Sequence, residues 1–436
     1  MTFNTNSPTR RSRRVGPAAG LAAAVAGLLL AVAACSSSED TATPEPRTAP
    51  TTPITVTSTT PPPSVAPPPS VAPPPSPAPP TSPAPPTSPA PPTTSGTQRA
   101  RRALLRRILV SHYAANEFVG GRIALRERDG SVTEVRAGTK TTDEASPPVE
   151  QGVRWNIGSA TKTFVAVVVL QLAEEGRIDL DGDIDQYFPD LADAEHITVR
   201  QLLQHTSGLN DYEEQPAVIN DAMREWSPSE LIAVAEAAGR VGRPGGPFHY
   251  SNTNYIVLGE IIEQVTGNSW ADEVNARIVE PLGLPSTGVI EDDWSPGYSI
   301  VDGAFVDTTL TEDPSVGGAA GALQSTGRDL LRFVGALTDG TLLSPRSQAM
   351  MQNFVPGYDY SQFGITHGYG LGLERYSTDA ITVIGHLGTG VQSAFIGYDA
   401  EHGTAVAVMI NTRNPESEGM MAIETLTAVS EAADRP

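Results

Sequence analysis

The chain has 436 residues and a formal net charge of −21. Beyond residue 98 it carries 24 Arg and Lys against 47 Asp and Glu, a net charge of −23 that disfavours nucleic acid as a partner. Cys35 is the single cysteine of the sequence, so a disulfide within the chain is impossible.

The first 35 residues have the pattern of a bacterial lipoprotein leader. Four arginines from Arg10 to Arg14 form a basic segment, and residues 21–34 form an apolar core. Small residues precede Cys35 as in a lipobox, so we expect a lipid on Cys35 and a protein anchored to the cell membrane on its extracytoplasmic face. Secretion after cleavage elsewhere is the alternative, and the general and twin-arginine export routes both stay open.

Residues 36–98 are rich in Pro, Thr and Ser and include a repeated Pro-Pro-Pro-Ser-Val-Ala unit. Such a segment cannot bury a core, and its prolines favour extended polyproline II structure. We interpret it as a disordered spacer between the membrane and a globular domain at 99–436. A basic run, Arg99 to Arg107, opens that domain and is interpreted as the solvated face of its first helix.

Apolar spacing in the domain predicts strands and a helix at each end. A helix is expected over 103–113, followed by a hairpin with strands at 121–127 and 131–135. Three more strands are expected at 381–386, 391–398 and 404–410, before a helix at 417–433. The middle, from about Thr161 to Val355, looks helical or loop-like. This layout predicts one antiparallel sheet built from both ends of the domain, with an inserted all-α region.

The segment Ser159-Ala160-Thr161-Lys162 has the spacing of a nucleophile and its base. Only Lys140 and Lys162 are lysines among 29 basic residues, so a lysine three residues after a serine suggests chemistry. At positions i and i+3 the two side chains share one helix face, and the apolar run Thr163 to Leu170 would bury the amine. A buried lysine can lose its proton and act as a base, which a serine nucleophile requires.

Two later motifs join this pair: Tyr250-Ser251-Asn252 and His386-Leu387-Gly388. With the phrases Leu202 to Leu209 and Gly321 to Asp329, they give residues of about 100–430 a pattern that resembles the class C β-lactamase and DD-peptidase superfamily of serine hydrolases. The resemblance implies an α/β fold of the β-lactamase and transpeptidase type, with its active site in a cleft beside the all-α region.

The resemblance also implies roles for individual residues. Tyr250 would form a hydrogen bond near Ser159 and pass a proton to the leaving group, while Asn252 would orient Lys162 and bind a substrate carbonyl. Backbone N–H groups of Ser159 and Thr389 would form the oxyanion hole, and Gly388 would let a substrate lie along its strand. Whether lysine or tyrosine is the acylation base stays open.

His386 departs from the Lys-Thr-Gly motif of most β-lactamases of this type. A histidine titrates near neutral pH, so we expect a weaker hold on a substrate carboxylate than a lysine would provide. His205 to Gly208 are interpreted as a structural turn. The remaining histidines show no metal-binding spacing, and neither a metal nor another cofactor is expected.

The sequence therefore predicts an extracytoplasmic serine hydrolase that forms an acyl-enzyme on Ser159. A DD-carboxypeptidase-like activity on peptides is the first hypothesis, with peptidoglycan stem peptides among the candidate substrates. An esterase or a weak β-lactamase is the alternative. A penicillin-binding or wall-binding lipoprotein without catalytic activity is the hypothesis from another class of protein.

The leader yields the first prediction. Replacing Cys35 by Ala should release the protein from the membrane fraction, because lipid chains give stable attachment at about 0.8 kcal/mol for each buried CH₂. Fractionation of cells that express each form, followed by immunoblotting, measures the partition. If the variant stays in the membrane fraction, residues 21–34 act as an uncleaved anchor instead.

Overall fold

The computed structural model describes residues 95–290 and 295–433. The predicted leader with Cys35, and the predicted linker up to residue 94, lie outside the described residues. No helix within the described ranges has the length and apolar character needed to cross a membrane. The boundaries 1–35, 36–98 and 99–436 stay predictions.

Helices form both ends of the described chain and much of its middle. The first, α1, spans Ser95–Ala114 and begins before the predicted position 103, because its Arg, Ala and Gln residues extend a helix readily. The helices that follow are α2 Thr161–Glu174, α3 Val199–Leu203, α4 Pro216–Ile219, α5 Pro228–Ala237, α6 Thr253–Thr266, α7 Trp270–Val274, α8 Glu280–Leu282, α9 Pro314–Gly321, α10 Gly327–Thr338, α11 Pro345–Met351 and α12 Pro415–Ala433.

An eight-stranded antiparallel sheet joins the two ends of the domain, in the order β2-β1-β13-β12-β11-β10-β9-β8. Two three-stranded sheets, β14-β5-β6 and β3-β7-β4, accompany it. The strands are β1 Gly120–Arg126, β2 Val132–Gly138, β3 Trp155–Asn156, β4 Gly288–Val289, β5 Tyr298–Val301, β6 Ala304–Asp307, β7 Leu323–Ser325, β8 Val355–Pro356, β9 Thr366–Tyr369, β10 Glu374–Ser377, β11 Thr382–Thr389, β12 Ser393–Asp399, β13 Thr404–Ile410 and β14 Thr412–Arg413.

The sheet is buried on both faces, as the alternation of side chains along its strands shows. In β13, Ala405, Ala407 and Met409 pack into a core with the middle helices, whereas Val406 and Val408 face a second core. The second core is closed by apolar residues of α1 and α12. The predicted sheet from both termini, with a mainly helical insertion, is confirmed.

The sequence did not indicate β8, β9 and β10, which extend the sheet beyond β11. These strands span two to four residues each, too short for a clear alternating pattern. β11 is also longer than predicted and continues through Gly388 to Thr389. β10 pairs with β11 only over Thr382–Gly385, so the end of β11 is not paired on that side and contacts the turn Gly158–Ala160 just before α2.

Close contact between β11 and the chain before α2 yields a stability prediction. A Cβ atom at Gly388 would overlap the carbonyl oxygen of Ile157, so Gly388→Ala should force the two segments apart. Overpacking of this kind costs about 1–3 kcal/mol of unfolding free energy. Urea unfolding of the variant measures the loss. Gly152→Ala is the matched control because no atom lies within 4 Å of its added Cβ; equal stability of the two variants would contradict the prediction.

Candidate active site

Ser159 lies in a tight turn that leads directly into α2. The turn is a 3-10 helix over Gly158–Ala160, and Gly158 adopts a φ of 48°, which favours glycine. The N–H of Gly158 donates to Asn156 Oδ1 at 3.1 Å, and Asn156 Nδ2 donates to the carbonyl of Leu323 at 3.2 Å. These bonds fix the turn against β7 and leave Ser159 half-buried at the start of the helix.

The amine of Lys162 is completely buried and surrounded by oxygen acceptors. Its Nζ lies 3.1 Å from Ser159 Oγ, 2.6 Å from Asn252 Oδ1 and 2.9 Å from the carbonyl oxygen of Ala320. Sequence analysis predicted contact with the first two. The Ala320 carbonyl comes from α9 next to a kink at Gly318, which no sequence pattern indicated.

Burial lowers the pKa of Lys162 from 10.5 to about 8. Desolvation is the main cause, because an ammonium group away from water loses its hydration. The negative charges of Glu213, Asp211 and Glu374 act in the opposite direction and keep the pKa from falling further. A lysine with this pKa exchanges its proton readily near neutral pH, as a general base must.

Tyr250 lies beside both groups. Its ring centre is 5.0 Å from Lys162 Nζ. Burial raises the pKa of Tyr250 well above 10, although the nearby Ser159 hydroxyl opposes this. The directions of these two shifts are consistent with Lys162 as the acylation base, a role that stays a prediction.

Asn252 is held in one orientation by a buried carboxylate. Asp211 Oδ2 accepts from Asn252 Nδ2 at 3.0 Å and from the Asn252 backbone N–H at 3.2 Å. The amide oxygen of Asn252 must therefore point to Lys162. Asp211 is 4% exposed, and burial raises its pKa. Its role was not predicted, since an isolated aspartate in a polar stretch carries no signal.

The end of β11 lies against the turn of Ser159. Added Cβ atoms at Gly388 and Gly158 would meet Ile157 and Thr389 respectively, so only glycines allow this approach. The contact places the Thr389 backbone next to Gly158, the residue before Ser159. An oxyanion hole requires two backbone N–H groups that point to one oxygen, and the pair Ser159 and Thr389 stays a prediction for that role.

His386 occupies a different position from the one expected. The side chain is 1% exposed; Nε2 lies 2.8 Å from the Tyr369 hydroxyl and Nδ1 lies 2.6 Å from the carbonyl oxygen of Leu387. Both ring nitrogens thus have partners within the protein. This geometry does not favour the predicted contact between His386 and a substrate carboxylate.

His205, interpreted as part of a structural turn, also reaches the site. Its ring is fully buried and stacks on Tyr250 with the centres 4.3 Å apart. Its Nδ1 accepts from the backbone N–H of Ser251 at 3.1 Å and lies 3.0 Å from Asn254 Nδ2. The spacing between His205 and Tyr250 gave no indication of this contact, because it depends on how α3 meets the loop before α6.

Comparison with known families settles the classification. The family described as Beta-lactamase matches residues 105–429, three quarters of the chain. The chain belongs to this family. The resemblance inferred from the motifs is thereby confirmed, and the fold agrees with that of solved relatives.

Two solved structures illustrate the beta-lactamase-family fold. A D-stereospecific amidohydrolase from Streptomyces sp. is 32% identical, with a TM-score of 0.65, and the match covers 74% of this chain and 98% of that one. A D-amino acid amidase from Ochrobactrum anthropi SV3, complexed with L-phenylalanine amide, is 28% identical, with a TM-score of 0.69 and coverage of 77% and 100%.

Curated relatives of this beta-lactamase-family chain match over shorter stretches. Protein PbpX of Bacillus subtilis is 29% identical over 245 residues, and Esterase EstB of Burkholderia gladioli is 30% identical over 185 residues. The matches cover 52% and 39% of this chain but only 60% and 47% of the relatives, so the chain spans about half of their length. Esterase and amidase relatives identify the chain as a serine hydrolase.

The described residues, 95–290 and 295–433, contain no group of three or more His, Cys, Asp or Glu side chains that could hold a metal ion. The hypothesis that the reaction needs no metal or cofactor stays a prediction.

The pKa of Lys162 predicts the pH dependence of the beta-lactamase-family site. If the neutral amine is the base, kcat/KM for an uncharged ester should rise with pH and level off, with a midpoint near the pKa of about 8. The amine is protonated and inactive as a base below that pH. Initial rates at low substrate concentration from pH 5.5 to 10 measure the profile.

Lys140 supplies the control for this profile. It lies 3.4 Å from Glu150 on the surface and away from Ser159, so Lys140→Ala should keep the same midpoint. A wild-type kcat/KM that does not change between pH 6 and 9 would rule out Lys162 as the titrating base.

Proposed function

We propose that this chain is an extracytoplasmic hydrolase that cleaves peptide bonds next to a D-residue, in the manner of a DD-carboxypeptidase. The observation that carries the proposal is the buried Lys162 amine 3.1 Å from Ser159 Oγ, with Asn252 and Tyr250 beside it. This set can activate a serine, bind a carbonyl and protonate a leaving group.

The proposed reaction has two stages. Lys162 takes the Ser159 proton as Oγ attacks the carbonyl carbon, and the N–H groups of Ser159 and Thr389 stabilise the resulting oxyanion. The tetrahedral intermediate collapses, the C–N bond breaks, and the proton reaches the leaving amine through Tyr250. Water then attacks the acyl ester with the same groups as base and acid, which releases the acid and restores Ser159.

Several observations support a D-specific amide substrate. The two solved structures described above are named as D-stereospecific amidohydrolase and D-amino acid amidase, and each is matched almost over its whole length. The predicted lipid anchor on Cys35 and the proline-rich spacer 36–98 would hold the domain outside the cell membrane. From there it could reach peptidoglycan stem peptides.

A second candidate activity is hydrolysis of amino-acid amides or esters that carry a free ammonium group. Glu213 is an exposed carboxylate near Lys162, and it is repelled by the charges of Asp211 and Glu312. A substrate ammonium would reduce this repulsion between carboxylates, whereas a substrate carboxylate would add to it. The acidic side of the site therefore favours a cationic substrate.

Covalent labelling tests the nucleophile. An active-site fluorophosphonate should add its mass to the tryptic peptide Trp155 to Lys162, which carries Ser159. Ser159→Ala should abolish the adduct and lower kcat/KM for an ester on the order of 10⁶-fold, since the whole covalent route is lost. Ser361→Ala, which changes an exposed serine, is the control and should behave like wild type. An adduct on another serine would overturn the assignment.

Substrate assays on wild type, Ser159→Ala and Ser361→Ala distinguish the candidate functions. The substrates are an acylated D-alanyl-D-alanine peptide, D-phenylalanine amide and a neutral ester, with a fluorescent penicillin as a covalent probe. The proposal expects the highest kcat/KM with the peptide, and preference for the amide would support the second candidate. Stoichiometric labelling by penicillin without turnover of any substrate would indicate a penicillin-binding lipoprotein instead.

A further inference from the structure

Three buried polar side chains on neighbouring strands lead to the aromatic rings beside Ser159. They are Glu374 in β10, His386 in β11 and Tyr369 in β9, and we call them the Glu374–His386–Tyr369 chain. All three side chains are at most 5% exposed. The chemistry proposed above does not use these three side chains. Glu374 and His386 lie 3.8 Å apart and both bind the backbone of Leu387, whereas His386 and Tyr369 are hydrogen-bonded to each other. Buried polar groups are costly unless each of them is satisfied.

Glu374 is an ionised carboxylate in the interior. It accepts from the backbone N–H of Leu387 at 2.9 Å and from the Tyr376 hydroxyl at 2.9 Å, and two histidines, His367 and His386, lie within 3.8 Å. Burial alone would raise the pKa of Glu374, but the neighbouring histidines and the Leu387 N–H hold it at about 2. The carboxylate is therefore a fixed negative charge below His386.

The partners of His386 decide which of its nitrogens carries the proton. Nδ1 faces two acceptors, the Leu387 carbonyl at 2.6 Å and the Glu374 carboxylate at 3.8 Å, so Nδ1 must be the N–H donor. Burial lowers the pKa of His386, the Glu374 carboxylate raises it and the charge of Lys162 lowers it, so the net shift is downward and favours the neutral ring. Nε2 is then an acceptor, and the Tyr369 hydroxyl donates to it at 2.8 Å.

Tyr369, which His386 binds, contacts the aromatic residues around Ser159. Its ring packs edge-on against His205 with the centres 4.6 Å apart, and His205 stacks on Tyr250 at 4.3 Å. Tyr369 also lies edge-on to Tyr250 at 6.1 Å. His205 also lies 5.4 Å, centre to centre, from the ring of Tyr255, whose centre is 5.5 Å from Lys162 Nζ. The rings that surround the proposed base and proton donor thus pack around His205, which Tyr369 contacts directly.

We propose that His386 is a positioning residue that acts through Tyr369, and that the Glu374–His386–Tyr369 chain fixes Tyr250 and the amine of Lys162 for catalysis. His386 then makes no contact with the substrate. The inference rests on the proposed roles of Ser159 and Tyr250, but it does not depend on which amide or ester the protein cleaves.

Paired variants of the full chain test this proposal. Tyr369→Phe removes one hydroxyl and keeps the ring, while His386→Leu removes the acceptor. Each should lower kcat by about tenfold to a hundredfold, the size expected when reacting groups are displaced by a fraction of an ångström to 1 Å. The loss should be similar for the neutral ester and for the acylated D-alanyl-D-alanine peptide, with KM nearly unchanged. The double variant should be no slower than the slower single variant, because both changes break one connection.

Two further variants separate positioning from general damage. His386→Gln places an amide oxygen near the position of Nε2, so it should recover part of the activity that His386→Leu loses. Tyr398→Phe removes the hydroxyl of another buried tyrosine, one outside the chain, and should match wild type. Thermal unfolding of every variant shows whether an activity loss comes from a folded protein.

The outcomes distinguish this proposal from the proposed function. If wild type shows no fluorophosphonate adduct on Ser159, the proposed function fails before the variants are compared. If wild type reacts and Tyr369→Phe acylates at the wild-type rate, the positioning role is wrong. A loss in His386→Leu confined to KM for the carboxylate-bearing peptide would show instead that His386 binds the substrate.

Discussion

The rest of the site depends on burial of a single amine, that of Lys162. Its three oxygen partners come from the Ser159 turn, the start of α6 and the end of α9, so three separate segments must meet at one nitrogen. Those partners satisfy an ammonium group, while desolvation makes the neutral amine accessible near pH 8. One environment therefore positions the group and adjusts its basicity. The Asp211 carboxylate extends this order, because it prevents the Asn252 amide from rotating away.

The large sheet holds the segments around the site in fixed positions. Its central strands are covered on both faces, by the middle helices on one and by α1 and α12 on the other, so β11 has little freedom to shift. Glycines at 158 and 388 let the end of β11 touch the turn of Ser159. The backbone of Thr389 is thereby held beside the turn of Ser159.

The position of the His386-Leu387-Gly388 motif in β11 determines which partners His386 has. Side chains alternate along β11, so His386 and Gly388 face the side of the site whereas Leu387 packs against the second core. Tyr369 lies in β9, two strands away from β11, and its hydroxyl forms a hydrogen bond with Nε2 of His386. The position that holds a lysine in most β-lactamases of this type thus contacts a buried tyrosine in this protein.

The sequence by itself determined the family, the sheet built from both ends, and the grouping of Ser159, Lys162, Tyr250 and Asn252. These features rest on local patterns: an i and i+3 pair on an apolar helix, alternating strands, and short motifs in a fixed order. Only the tertiary structure decided that Asp211 orients Asn252, that the Ala320 carbonyl binds Lys162, and that His205 and Tyr369 support Tyr250. Each of these contacts joins segments dozens of residues apart. Burial and orientation of a side chain at such a contact depend on how helices and strands pack, which spacing along one chain does not encode.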